Sequence, residues 1–541
     1  MASLRLVSLF TVLTIVLLVV PSNPIAHANP QATPPTPQTQ PAGMAVQPAP
    51  ASPLAPVSFA KAVTYGWGGC ESQSVAIGDL NGDGHLDLVV PSALASCSGG
   101  FGTVGVLLGN GNGTFQNAVT YSVNEYVVFV AIGDVNGDGH PDLVVSGLCL
   151  QNGGCNGSAG GVSVLLGKGD GTFQSPVTYG LPKGAGAVVI VDINGDGHPD
   201  LVVATGCNGS GCGTATVSVL LGNGDGTFQA PVSSSTGEGY VGSLAVGDVN
   251  GDGRLDVAVV SSKVVSVMLG NGDGTFQAPT TYPTGGDLAT WVAMADLNGD
   301  GHLDLVVANT CESGTSCQYG SAGVLLGNGD GTFEAPVSYL SDGGEARSVA
   351  VLDVNGDSKP DIILANQCGA YGSNGCSGGT STGRVGVLLG NGDGTFQNAM
   401  SFGSGGYLGS SVAIGDVNGD GKPDLAVVNY GYSSASSVGV LLNNTPRSTT
   451  GTTLTSSPNP SVVHQSVNFT AKVTSAKPVP NGSTVTFYSG STKLGTGTTT
   501  SGVATFSTSF SAAGSYTIKA KYAGDGFRRP SYGTVTQVVN P

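Results

Sequence analysis

From residue 58 onward the chain alternates short apolar runs with Gly-, Asn- and Asp-rich stretches at a steady spacing. Ser74-Val75-Ala76-Ile77-Gly78 and Leu88-Val89-Val90 flank one acidic stretch, Val104-Gly105-Val106-Leu107-Leu108 runs into Gly109-Asn110-Gly111-Asn112-Gly113, and Phe115 to Tyr121 follows. Val-rich runs of this length, bounded by turn residues, predict four antiparallel strands, because Asn-Gly and Asp-Gly steps tolerate the positive φ of tight hairpins. The acidic stretch returns seven times, 48 to 63 residues apart. No run after the N-terminus carries a helical period. Seven units of four strands predict an all-β fold, a seven-bladed β-propeller.

The ends of the array predict how the ring closes. The turn Gly-Asn-Gly-Asp-Gly-Thr-Phe, or a near copy, occurs six times, and the last unit stops at Val440-Leu441-Leu442-Asn443-Asn444 without a fourth strand. Phe59-Ala60-Lys61-Ala62-Val63-Thr64-Tyr65 matches Phe115 to Tyr121 and is the missing piece. The N-terminal strand is therefore expected to complete the last blade and leave no open edge. The array fills 58–446, a linker follows, and 452–541 has another texture: Ser466-Val467-Asn468-Phe469-Thr470-Ala471-Lys472-Val473 alternates as a half-buried strand of a sandwich does.

Each acidic stretch reads Asp-x-Asn-Gly-Asp-Gly-x-x-Asp, with the sole departure that Ser358 replaces the second Gly of the sixth copy. The expected oxygen ligands are Asp79, Asn81, Asp83 and Asp87; Asp134, Asn136, Asp138 and Asp142; Asp192, Asn194, Asp196 and Asp200; and Asp248, Asn250, Asp252 and Asp256. The remaining copies supply Asp296, Asn298, Asp300 and Asp304; Asp353, Asn355, Asp357 and Asp361; and Asp416, Asn418, Asp420 and Asp424. Side-chain oxygens at positions 1, 3, 5 and 9 of a Gly-rich loop suit a hard cation, so up to seven structural calcium ions are expected, with the Asp353 loop the weakest. A plain turn needs only one or two such residues.

Composition sharpens this picture. The chain has 35 acidic against 18 basic residues, and three Asp in each of seven loops make 21 of the 35. The negative charge is mostly latent ligand, and no nucleic-acid partner is expected. Residues 1–28 have the form of a secretory signal peptide, with Arg5, the apolar run Leu6 to Val20, and Ala26-His27-Ala28 as a cleavage site. Residues 29–57 are Pro-, Ala- and Gln-rich, an expected disordered spacer. No later run is long enough to span a bilayer, so a secreted or cell-surface monomer is expected. The ten cysteines fit export: Cys149 with Cys155, Cys207 with Cys212, Cys311 with Cys317, Cys368 with Cys376, and Cys70 with Cys97 are the expected disulfides. They fall on the face opposite the acidic loops, on connections expected to be long, which directs ligand binding to that face.

No catalytic residue is expected. His85, His140, His198 and His302 share a loop slot with Arg254, Lys359 and Lys422, a solvent-facing rim. An enzyme, acting for instance on polysaccharide, would need convergent off-pattern groups such as Glu71, Glu238, Asp287, Glu312 or Glu345. A lectin would need a repeated aromatic, and the tryptophans are Trp67 and Trp291 alone.

At Asp79-Leu80-Asn81-Gly82-Asp83-Gly84-His85-Leu86-Asp87 and its copies, the array resembles the FG-GAP/VCBS repeat family found also in integrin α subunits. The resemblance implies a seven-bladed propeller with calcium in the loops between the first two strands of blades, and cell-surface adhesion or carbohydrate binding. The tail resembles a bacterial Ig-like domain at Thr453-Leu454-Thr455-Ser456-Ser457-Pro458-Asn459-Pro460, Thr484-Val485-Thr486-Phe487-Tyr488 and Tyr522-Ala523-Gly524-Asp525. It carries seven Lys and Arg against Asp525. The expected function is thus an exported, non-catalytic, calcium-binding adhesion or ligand-binding module whose partner is a surface glycan or protein.

Overall fold

The computed structural model of the protein describes residues 57–93, 102–123, 125–150, 160–206, 214–237, 239, 242–312, 319–369, 376, 382–431 and 436–541. The expected signal peptide and nearly all of the expected spacer lie outside them. Among the described residues there are strands and no helix, so no helix is long and apolar enough to cross a membrane.

Seven four-stranded antiparallel sheets fill the array. The first holds Ala76–Gly78, Asp87–Ser92, Thr103–Leu107 and Val119–Ser122 in chain order. Its fourth strand is shorter than the run Phe115 to Tyr121 suggests, since Phe115 makes only an isolated bridge to Gly109. The ring closes as expected: Val63–Gly66 pairs antiparallel with Ser437–Leu441, placing Val63 opposite Val440 and Gly66 opposite Ser437. Most links between sheets are short, with two residues between Ser122 and Glu125 and two between Leu181 and Gly184, against the long connections expected there, while those from Gly66 to Ala76 and from Ser235 to Leu244 are longer. The long loops are instead those between second and third strands.

Second and third strands are buried along nearly their whole length, fully so in the first sheet, which explains why they read as Val- and Leu-rich runs without alternation. Neighbouring sheets face each other through these side chains, and aromatic pairs tie them at the rim. Tyr121 meets Phe173 edge-on at 5.4 Å, Tyr179 meets Phe228 at 5.6 Å, and Tyr339 meets Phe396 at 5.5 Å. Tyr65, on the closing strand, meets Phe115 of the first sheet at 5.3 Å, so the closure carries the same Tyr–Phe contact as four other joints.

The tail is a sandwich of a three-stranded and a five-stranded sheet around Phe469, Phe487, Ile518 and Tyr522. The expected alternation is present: Val467, Phe469, Ala471 and Val473 point inward along Val467–Ser475.

Acidic loops and the axial mouth

In the first acidic loop the side chains fold back on the backbone. Asp79 Oδ1 accepts from the Gly82 amide at 2.8 Å and Oδ2 from the Gly84 amide at 2.9 Å. Asn81 Oδ1 accepts from the Asp83 amide, Asp83 Oδ1 from the His85 amide, and Asn81 Nδ2 donates to Asp83 Oδ2 at 3.1 Å. Gly82 and Gly84 sit at φ 73° and 81°, where a side chain is strained. The same bonds recur around Asp134, Asp192, Asp248 and Asp296. In the sixth loop Ser358 adopts the glycine conformation at φ 67°, and its amide still reaches Asp353 Oδ2 at 2.7 Å.

The ninth-position aspartates are set apart by burial. Asp87 is fully buried and uses both oxygens on backbone amides, Oδ2 on Leu80 at 2.8 Å and Oδ1 on Gly109 at 2.7 Å. Gly109 opens the neighbouring hairpin turn, so this carboxylate stitches the acidic loop to that turn. The stitch repeats at Asp142, Asp200, Asp256, Asp304, Asp361 and Asp424. Burial pushes the carboxyl up to about 6 at Asp87, Asp142, Asp256 and Asp304, to about 7 at Asp424 and to about 8 at Asp361, and the amide hydrogen bonds only partly offset it. The adjacent turn also explains the glycines in it: a Cβ on Gly111 would lie 2.3 Å from the His85 ring, and one on Gly169 2.4 Å from His140. These histidines cover a turn on an exposed rim.

The donor set is one of hard oxygens, with no thiolate and no imidazole turned inward. Among the described residues no three His, Cys, Asp or Glu side chains converge as a ready metal cage. Yet each carboxylate oxygen that accepts one amide keeps a second lone pair, and positions 4 to 7 of the first five loops are exposed. Asp79, Asn81 and Asp83 fit an oxygen-loving divalent ion; Asp87 already has two partners.

The opposite end of the ring has a different chemistry. The first strand of each blade starts there, and in most it bulges. Register shifts fall between Val127 and Phe129, Ala185 and Val188, Ala289 and Trp291, Ala346 and Ser348, and Gly409 and Ser411. The residues thrown out by these bulges (Val128, Gly186, Thr290, Arg347 and Ser410) all line one axial mouth of about 300 Å³, with Gln73, Phe129, Trp291, Gln367 and Tyr430. Phe129 and Trp291 pair at 5.4 Å between ring centroids, tilted by 31°. They also line the apolar throat below, about 210 Å³ walled by Ile77, Ile132, Val188, Val246, Val351 and Ile414. Glu71, Leu288, Glu345 and Leu408, beside the mouth, hold positive φ without being glycine, a strain found at sites the surrounding fold over-determines.

Three of the off-pattern acids are held by partners that are not acids. Glu71 accepts from the Tyr126 hydroxyl. Asp287 pairs with Lys263 at 2.8 Å, and Glu345 with Arg347 at 2.6 Å. Gln367, its amide oriented to satisfy both neighbours, donates to Glu345 and accepts from Arg347 Nε at 3.0 Å. Glu312 ends a strand on the same side, half-buried, and Glu238 lies outside the described residues. Trp67 is core, buried against Val75, Leu107 and Val438, and is unavailable to a ligand. Glu125 escaped notice in the sequence: it is fully buried, takes Ser163 Oγ at 2.6 Å on one oxygen and leaves the other without a hydrogen-bond partner, and burial raises it to about 7. Cys368 and Cys376 form the expected disulfide. Cys70, Cys149 and Cys311 are disulfide-bonded, while residues 97, 155, 207, 212 and 317 lie outside the described set.

Comparison with known proteins supplies the family. The FG-GAP-like repeat matches residues 93–145, 152–203, 192–259, 248–307, 315–364 and 376–427, and the related FG-GAP repeat matches 73–107 and 127–165. The bacterial Ig-like domain (group 3) matches 454–540. Integrin alpha-V of Gallus gallus is 30% identical over 141 residues, which cover 24% of this chain and 13% of that protein. Among solved structures, an Agrocybe aegerita lectin described as recognising non-reducing terminal N-acetylglucosamine is 21% identical, with 63% of this chain and 80% of the lectin aligned at a TM-score of 0.39. An ancestral GH74 enzyme is 14% identical, with 87% and 62% aligned at a TM-score of 0.40. The repeated sheets, their acidic loops and the coverage of the match together show that the chain belongs to the FG-GAP-like repeat family and ends in a bacterial Ig-like domain of group 3.

Proposed function

We propose that this is an exported, non-catalytic binding protein that takes a glycan at the axial mouth and uses calcium in its acidic loops as scaffold. The observation that carries this reading is the mouth itself. Five strands bulge at one end, and the side chains they turn out meet an exposed edge of Trp291 and Phe129. An aromatic face beside a guanidinium and two primary amides (Arg347, Gln367 and Gln73) is chemistry suited to a sugar ring, whose C–H face stacks while its hydroxyls take hydrogen bonds. Arg347 is neutralised by Glu345 at 2.6 Å, which favours a neutral polyhydroxylated ligand over a simple anion. The volume, about 300 Å³, suits one or two sugar units.

Hydrolysis would call for two convergent carboxyl groups. Near the mouth Glu345 is held by Arg347 and Gln367, and Glu71 by Tyr126, an arrangement that supports binding over catalysis. A glycan and envelope-polymer screen with the mature chain tests the reading. Binding should fall at least tenfold in Trp291→Ala and in Arg347→Ala, without loss of the calcium response. Unchanged binding in both variants would move the ligand elsewhere, and release of cleaved sugar by the unaltered chain would make it an enzyme.

A further inference from the structure

The Ig-like domain rests on the acidic-loop face and covers one loop of the seven far more than the rest. Gly82, Asp83 and Gly84 are exposed, as are their equivalents in the next four loops, whereas in the sixth loop Gly356 and Asp357 are buried, Asn355 before them is buried too, and only Ser358 stays exposed. What covers them comes from the tail. The Lys477 ammonium donates to the carbonyl oxygen of Asn355, and Arg528 Nη2 donates to that of Gly356 at 2.7 Å. Both cations are almost fully buried, Lys477 at 5% and Arg528 at 2% exposure. The Phe527 ring lies on Gly356 so closely that a Cβ there would be 2.2 Å from it, and Lys477 sits 4.9 Å from the centre of the same ring. From the linker, Arg447 Nη2 donates to Asp420 O at 3.2 Å and Nε to Gly526 O at 3.1 Å, extending the seat to the edge of the seventh loop.

The covered loop is also the one whose sequence departs at Ser358, and its internal bonding differs. In the first five loops the position-3 amide donates to the position-5 carboxylate. In the sixth, Asn355 Nδ2 and Asp357 Oδ2 are both buried without a partner. The charges facing Lys477 are the carboxylates of Asp353 and Asp357, which attract it, and Arg528 and Lys422, which repel it.

We propose that the Asp353 loop is a docking socket for the Ig-like domain, in which Lys477 and Arg528 supply the positive charge that a divalent ion supplies to the exposed loops, so that ion binding and docking at this loop exclude each other. Like charges a few ångströms apart in a buried site repel strongly, so a divalent ion in the loop and the Lys477 ammonium on Asn355 do not coexist. The loop thereby keeps its acidic pattern for a protein cation. The inference rests on the calcium reading of the other six loops.

Equilibrium dialysis of the full chain at saturating calcium, with small-angle scattering on the same samples, tests it. The unaltered chain should hold six ions. Lys477→Met keeps the aliphatic stem and removes the charge, and should hold seven while its maximum dimension grows as the domain swings free. Phe527→Ala, with the same two readouts, serves if Lys477→Met does not fold. Seven ions in the unaltered chain, or six in every variant, overturns the exclusion. No bound calcium at all refutes the calcium reading instead, and the socket is then judged by scattering in chelator, where an unchanged dimension in Lys477→Met overturns it.

Discussion

The first acidic loop and the sixth differ at one position of the shared motif, Gly84 against Ser358, and have opposite surroundings. Around Asp79 the position-4 to position-7 residues face water, and the hydrogen bonds of Asp79, Asn81 and Asp83 stay within their own loop. Around Asp353, Asn355, Gly356 and Asp357 are buried beneath Lys477, Phe527 and Arg528 of another domain, while Ser358 stays exposed. The pattern Asp-x-Asn-Gly-Asp-Gly-x-x-Asp therefore specifies a conformation, two left-handed residues wrapped by short polar side chains. What the loop then holds depends on what the rest of the fold brings to it. A second division runs inside the uncovered loops: positions 1, 3 and 5 face the solvent side, while position 9 is a buried stitch to the neighbouring turn.

The largest effect should come from breaking that inner division. Asp304→Ala leaves the Leu297 and Gly327 amides buried without acceptors and should cost about 3–4 kcal/mol, read as a lower urea midpoint. Asp300→Ala, on the exposed side of the same loop, should cost less than about 1 kcal/mol in chelator and act only through lost calcium. Equal losses would erase the distinction between stitch and ligand.

Next in size is a contrast between the two ends of the ring. Glu125, buried toward the mouth side, has its carboxyl raised to about 7 from 4.5. The folded state therefore binds the proton more tightly than the unfolded chain, and stability contributed by the protonated group is full below about 4.5 and lost as pH rises through about 7. Glu125→Gln should flatten the stability profile across that window, by up to about 3 kcal/mol at pH 8, in calcium and in chelator alike. A profile unchanged by the substitution would mean that Glu125 is solvated in the folded protein.

The smallest effect separates open loops from the covered one. At free calcium about tenfold above its dissociation constant, each occupied loop adds about 1.4 kcal/mol. Asp83→Asn should remove one such increment. Asp353→Asn should leave the calcium-dependent part of the stability intact and loosen the domain seat. A calcium increment lost in both would make the loops equivalent.

Much of this was legible in the sequence, for identifiable reasons. Strand order followed from Val-rich runs bounded by residues that accept positive φ, and closure followed from counting six hairpin turns against seven acidic loops. The closing register, Val63 opposite Val440, needed only the match between Phe59–Tyr65 and Phe115–Tyr121. The site was less legible. Asp87 is the same residue type whether it binds an ion or two amides, and only burial distinguishes these. The bulges that expose Thr290, Arg347 and Ser410 carry no residue signature, since Thr, Arg and Ser fill equivalent places. Trp67 and Trp291 look alike in the chain, yet one is core and the other lines the mouth. Lys477 and Asn355 meet across 122 residues, a contact no local pattern announces.

The claim that the exposed loops are calcium scaffold meets its most direct test in calorimetry of the full chain with calcium and with chelator. The account predicts that the propeller transition rises by roughly 10 °C in calcium, six increments spread over a domain of this size, while the transition of the Ig-like domain, which has no acidic loop, gains nothing of its own. Identical melting in calcium and in chelator would contradict it.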